Sequence, residues 1–511
     1  MLKNIIFTVL LVFSTQAWSL NSFYQNNWIS KDSGLEFYVQ YPVLTEQIYQ
    51  NNASQLLWSD PLSGEALEFQ LGIIETSGIS PIFSRQLKQL RYFRDNEQWF
   101  EYDILATDTL LFYMSYSENA AVIGKPWYFS EKLHSSLPKP SHHALSKLEV
   151  YLQSGQLAEL MKSYAPPVGN YDQFVHSYQL LLSSSSLKLE NYVQVGIKRR
   201  GARLPNRNVL VKRIGLVGIN VQHISDNVTN YDYELELAVK QFQKMHGLTP
   251  DGVIGPQTLS WINMAPDTRL KALALNAERA RLWPTDRDSL ILVNVPSFEM
   301  KYWQNGQEVF ESKVVVGRKS RKTPLLNTKL DSVIFNPTWN VPWKIMVEDI
   351  LPKVKADTNY LKTHNFEIVE AWRSPDLIST EDIDWANLKP SRFPYKLRQQ
   401  AGTKNALGLY KFNTPNNRAI YLHDTPSKSL FNEDSRAFSS GCVRVEQAEE
   451  FASLLLQTQG LKSHDEANIA LGEKTAVSLK KRIPVHIIYQ TVLFEKEGIQ
   501  YRSDIYQYDQ I

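Results

Sequence analysis

The sequence predicts a multidomain α+β chain: a mainly helical N-terminal region, a small helical module, and a β-rich C-terminal domain interrupted by a long insertion. Three observations predict it. At ~150 residues per domain, 511 residues make room for about three domains. Leu235, Ala238, Val239 and Phe242 recur at i, i+3, i+4 and i+7, the one-face repeat of a helix. After Trp283-Pro284 the apolar period changes, and β-rich runs meet at Asn305-Gly306, a strong hairpin signal.

The chain opens like a targeting segment. Lys3 gives a basic start, Ile5 to Phe13 form an apolar stretch too short to span a bilayer, and Ala17-Trp18-Ser19 fits a cleavage site. Residues 1–19 are expected to be a signal peptide, with an uncleaved anchor as the alternative. A soluble mature protein in an exported compartment follows. Lys plus Arg number 55 and Asp plus Glu 53, a net of +2, so composition offers no electrostatic case for nucleic acid. The hydrophobic share of 43% is enough to bury sizeable cores. There is one cysteine, Cys442, so no intramolecular disulfide can form. In an exported setting a lone thiol is either buried and inert or kept for its reactivity.

Residues 20–207 are weakly patterned. Leu148, Tyr151 and Leu152, then Leu157, Leu160 and Met161, each fall on one helical face, and Ser183 to Ser186 read as a loop. Residues 208–264 read as a helical module. Gly247 suits the C-terminal cap of the first striped helix, with Leu248 placed for its apolar contact. Asp251-Gly252 is a turn, and Pro256 opens a second helix carrying Leu259 and Ile262. Residues 265–286 are a linker helix. In 287–492 strands are expected at 290–295, 299–304, 307–316, 332–336, 419–423 and 485–489. A charged, mostly helical insertion over 338–405 reads as a lid, and 493–511 as a tail.

The chemistry concentrates in Tyr421-Leu422-His423-Asp424 and Ser439-Ser440-Gly441-Cys442-Val443-Arg444, with His423 lying 19 residues before Cys442. A thiol is a poor nucleophile until ionised, and an imidazole beside it can take its proton. Gly441 lets the backbone approach a substrate, and the amide of Cys442 then suits an oxyanion.

This pattern resembles the signature of the L,D-transpeptidase catalytic domain: His, a gap, then Ser/Thr-x-Gly-Cys-x-Asn/Arg. The run from Ile291 to Ile345 looks like that domain's opening strands. The run from Ala238 to Asn263 resembles the peptidoglycan-binding repeat, its alternative being a plain helix-turn-helix packing unit. The order of parts is similar to that of the large Gram-negative periplasmic branch. The resemblance implies a mixed-sheet catalytic domain with a helical lid, a three-helix peptidoglycan-binding module and a helical scaffold. The nine histidines other than His423 show no metal spacing and there is no cysteine cluster, so no metal is expected, and no cofactor. The resemblance also implies transfer of an acyl group through a Cys442 thioester: a tetrapeptide stem loses its terminal D-Ala, and a diaminopimelate amine resolves the thioester into a 3→3 cross-link. Carbapenems should then acylate Cys442.

The partners implied are donor and acceptor stem peptides, with wall-synthesis enzymes as further candidates; oligomeric state stays open. Where many relatives carry His, this chain has Ser440, which leaves His423 as proton donor and acceptor. Arg444 clamps a substrate carboxylate or makes a structural ion pair. Tyr421 shares a strand face with His423 and is a candidate oxyanion or substrate residue, as are Gly441 and Ser440. Trp339 either contacts substrate or packs the core. Hydrolysis by the same cysteine (an L,D-carboxypeptidase or cross-link hydrolase) is the alternative, and a non-catalytic wall-binding protein the third reading.

Overall fold

The computed structural model describes residues 34–53, 55–225, 227–372, 374, 376–461 and 474–509. The expected signal peptide lies outside them. Among the described residues no helix is long and apolar enough to cross a membrane. The chain divides into two compact units: Met1–Trp127 with Glu131–Ala165, and Tyr128–Ser130 with Pro166–Ile511.

The first unit is helical. Helices Pro61–Ser77 and Pro81–Asp95 each begin with proline behind a capping side chain, Asp60 and Ser80. They surround the helix Trp99–Ile123, which is buried along its middle on every side. Two buried carboxylates on that helix hold incoming loops. Asp103 accepts from the backbone N–H groups of Leu57 and Trp58, and Asp108 from those of Gln40 and Tyr41. Acceptors so placed satisfy loop amides that burial would otherwise orphan.

In the second unit, Ser183 to Ser185 complete the helix Tyr171–Ser185 instead of forming the expected loop. Their hydroxyls bond back to the carbonyls of Leu180 and Leu182, so the polar run is satisfied without leaving the helix. The small module has the helices Arg207–Gly215, Tyr233–Met245 and Pro256–Ile262. All four residues of the predicted stripe are buried in its core. Gly247 is left-handed (φ +66°), and the N–H of Leu248 reaches back to the carbonyl of Gln243 at 2.9 Å, closing the helix end. This core begins upstream of residue 208, with Tyr192 and Leu204.

Among the described residues the C-terminal domain carries fifteen strands. They are β1 (Ser289–Asn294), β2 (Glu299–Gln304), β3 (Gln307–Gly317), β4 (Leu326–Phe335), β5 (Trp339–Asn340), β6 (Phe366–Val369), β7 (Leu377–Ile378) and β8 (Lys396–Gln399). After the insertion come β9 (Tyr410–Asn413), β10 (Leu422–His423), β11 (Ala437–Ser439), β12 (Val443–Val445), β13 (Thr475–Ile488), β14 (Val492–Glu495) and β15 (Gly498–Tyr501). Nine strands form one mixed sheet in the order β11-β3-β12-β10-β9-β4-β13-β1-β2, and β2 also pairs with β3, so the sheet closes on itself. Asn305 (φ +50°) and Gly306 (φ +76°) make the two-residue β2–β3 turn, both left-handed as such hairpins need. Inward residues such as Val293, Val316, Phe412 and Val485 build the core, and the helix Ala448–Thr458 seals it with Phe451 against Tyr302, Phe310 and Phe412.

Two expectations need correction. The insertion has short helices, but it also has a four-stranded sheet, β5-β8-β6-β7, over its own core of Val341, Leu351, Ile368 and Leu397. Strands two to four residues long are too short to show a period in sequence. Residues after 492 are no tail: they form the β14–β15 hairpin and then bury Asp509 against the wholly buried Arg279 at 2.8 Å.

Candidate active site

The site lies on the outer face of the closed sheet. Alternation along the strands points Leu422, Phe412 and Val443 into the core, which turns His423, Lys411 and Arg444 outward. Register puts these three in one row. His423 pairs with Lys411 of antiparallel β9 on one side and with Arg444 of parallel β12 on the other.

His423 is only 5% exposed, and its Nδ1 lies 2.5 Å from the carbonyl of Asp424. That carbonyl can only accept, so Nδ1 carries the proton and Nε2 is free to take one. Burial, then the Arg444 charge and to a lesser degree Lys411, push the imidazole down to about 3 against the pull of the carbonyl. The imidazole is therefore neutral at neutral pH. The Asp424 carboxylate points elsewhere, onto Lys428 at 2.7 Å and the N–H of Leu409 at 2.9 Å.

Cys442 sits in the turn between β11 and β12. Gly441 has φ +122°, a conformation that L side chains rarely adopt, while its surroundings leave room for a Cβ. Ser439 closes the turn from within: its hydroxyl donates to the Cys442 carbonyl at 2.6 Å and accepts from the Gly441 N–H at 3.1 Å. Thr323 holds it from outside, donating to the Gly441 carbonyl at 2.9 Å. The N–H of Cys442 has no hydrogen-bond partner among the described residues. The thiol is part-exposed, and enclosure by protein pushes its pKa up against the lowering effect of Tyr421, Lys411 and Arg444.

The predicted residues converge, with two differences of detail. No hydrogen bond joins His423 to the thiol, whose own partners are the Ala419 carbonyl at 3.7 Å and both the backbone N–H and the hydroxyl of Tyr421. The Tyr421 ring lies 5.7 Å from the imidazole. Its buried phenol is held protonated and meets the Trp339 side chain as well as the thiol. Trp339 thus belongs to the site and also packs against the insertion's core. Ser440 is held by Arg321, whose Nη1 donates to its hydroxyl at 3.0 Å. Arg444 has no salt bridge and its Nε no partner among the described residues, which removes the structural ion pair from view there.

Comparison with known proteins follows the same lines. Residues 288–485 match the family model of the L,D-transpeptidase catalytic domain. By that match, residues 288–485 belong with this domain family. Residues 44–177 match a scaffold domain and 217–262 a domain described as "Putative peptidoglycan binding domain". A Haemophilus influenzae protein named "Putative L,D-transpeptidase" is 29% identical over 472 residues, 92% of this chain and 79% of that one. L,D-transpeptidase structures from Xylanimonas cellulosilytica and Stackebrandtia nassauensis are 14% and 11% identical. Each matches 58% of this chain, and 99% and 97% of its own, at TM-scores of 0.17 and 0.22. Scores that low add no argument.

The site also contains residues to which the motif gave no pointer. Lys411 lies opposite His423, with its Nζ 4.2 Å from the centre of the Tyr421 ring. Thr323 is itself held by the hydroxyl of Tyr506, which accepts from its N–H at 3.0 Å and donates to the Gly317 carbonyl at 2.5 Å. Arg321 ties Asp349 and Glu348 of the insertion to Ser440. The one signal available beforehand was the alternation Tyr410-Lys411-Phe412, which puts a lysine on a strand face opposite two aromatic residues.

Proposed function

We propose that this chain is an exported, periplasmic L,D-transpeptidase that forms 3→3 peptidoglycan cross-links through a thioester on Cys442. The observation that carries the reading is a neutral imidazole with an unprotonated Nε2 on β10 and, in the turn that leads into the neighbouring β12, a thiol whose own backbone N–H has no partner among the described residues. The thiol proton passes to Nε2 of His423 as sulfur bonds to the carbonyl carbon of the stem's third residue. The approach that this transfer needs is completed when the stem binds, since such contacts often tighten only in the complex. The N–H of Cys442 faces the developing oxyanion. The carbon–nitrogen bond to terminal D-Ala then breaks, and His423 returns the proton to the leaving amine. In the second half the acceptor's diaminopimelate amine gives its proton to His423 and attacks the thioester carbonyl; the carbon–sulfur bond breaks, and the Cys442 sulfur takes the proton back from His423.

Arg444, unpaired within the described residues, is the group for a stem carboxylate, where its planar fork gives two parallel bonds. The helical module supplies binding to the sacculus. Purified mature protein incubated with tetrapeptide muropeptides should give dimers joined 3→3, seen by mass spectrometry. Tripeptide monomers alone would mean that water, not an amine, resolves the thioester. The same reading expects a carbapenem adduct on Cys442 in the intact mass, absent from Cys442→Ala.

A further inference from the structure

We propose that Lys411 is the counter-charge of the Cys442 thiolate, the role that an imidazolium at His423 would otherwise fill. The inference rests on the reading of Cys442 as nucleophile and adds how its charge is held.

Two cations on the outer face of the sheet act on the thiol, Lys411 from β9 and Arg444 from β12, and Lys474, just before β13, acts in turn on Lys411. Neither Lys411 nor Arg444 forms a salt bridge among the described residues. The carboxylate acting on Lys411 is Asp331, on β4; its Oδ1 accepts from Ser332 at 2.7 Å and from Asn413 at 2.9 Å, and it makes no ion pair with the lysine among the described residues. Half-buried positive charges without an anion are costly, and each makes the others costlier. A single negative charge in their midst relieves all of them. The other titratable groups facing the spot are His423 on β10 and Tyr421 just before it. The phenol is held protonated by burial, and the imidazole has no anionic form to offer. The thiol remains.

The placement of Lys411 suits the task. Its Nζ stands over the Tyr421 ring at 4.2 Å, and the Tyr421 hydroxyl meets the thiol. His423 does not suit it. With cations on both neighbouring strands, an imidazolium there would add a further positive charge to a buried row. The division of labour is then clear: His423 moves the proton, and Lys411 holds the charge left behind.

Alkylation of Cys442 by iodoacetamide reports thiolate directly and needs no stem peptide. Its rate against pH should move to a midpoint roughly one pH unit higher in Lys411→Met, the scale expected for losing a close opposite charge. Lys411→Arg should keep the wild-type midpoint. An unchanged midpoint in folded Lys411→Met overturns the proposal. The converse is read without altering the lysine. Reductive ¹³C-methylation lets Lys411 be titrated by NMR in the wild type and in Cys442→Ala, and loss of the thiolate should lower the lysine's pKa. Identical titrations overturn the proposal even if the methionine variant fails to fold. Muropeptide products are a separate readout: absent dimers with a shifted alkylation midpoint would sink the transpeptidase reading and leave the counter-charge standing.

Discussion

Arg321 donates from Nη1 to the hydroxyl of Ser440 at 3.0 Å while the same guanidinium grips Asp349 and, at 2.5 Å, Glu348. Arg318 adds a second cation on Asp349 at 3.1 Å. One side chain thus joins the start of the insertion to the turn that presents Cys442.

Arg321→Leu should release both. The Arg321 side chain is 7% exposed but its partners more so, hence a loss of about 1–2 kcal/mol in stability, below that of a fully buried pair. Hydrogen exchange should quicken over residues 343–356 and 439–442, and turnover should fall more than thermal stability. Unchanged exchange in both segments would deny the link.

Gly441→Ala should cost about 1–3 kcal/mol from backbone strain at φ +122°. An added Cβ would meet its nearest neighbour, Ile420 Cδ1, at an ordinary 3.6 Å, so collision is not the cause. Denaturant melts give the energy. Alkylation of Cys442 at fixed pH should also change, because the turn must shift.

Tyr506→Phe removes a hydroxyl that serves the Thr323 N–H and the Gly317 carbonyl, both in buried surroundings. Leaving two buried groups unsatisfied should cost about 1–3 kcal/mol. Because Thr323 in turn holds Gly441, activity should drop although Tyr506 lies 64 positions from Cys442 in sequence. A melt equal to the wild type's would show that water replaces the phenol.

His423 makes stability depend on pH. Its folded pKa, about 3, lies below the ordinary histidine value of 6.5, so the unfolded chain binds the proton more readily. Stability is then full above about 6.5 and is lost as pH falls toward 3. Between pH 7.5 and 5 the loss from this one group should be about 2 kcal/mol. Melts of the wild type and His423→Gln at both values isolate it, since the remaining histidines are common to both proteins. Parallel losses would mean that the imidazole is not held neutral.

What was legible in the sequence was local. The stripe from Leu235 to Phe242, the Gly247 cap, the Asn305-Gly306 hairpin and the His423/Cys442 motif each rest on residues within a few turns of one another, or on residue types whose chemistry is intrinsic. Periods of 3.6 and 2 announce which face of an element is buried, and they did so here. They do not announce neighbours. That Lys411 stands beside His423, that Arg444 stands on its other side, and that Tyr506 reaches Thr323 were decided only when strands far apart in the chain took their register. The four-stranded sheet of the insertion escaped for a related reason: its strands, two to four residues long, have stability only in their pairing. The sequence by itself determined which atom is the candidate nucleophile and which ring could move its proton. The tertiary structure decided the charge around them, because electrostatic energy depends on distance in space, and strand pairing sets that distance.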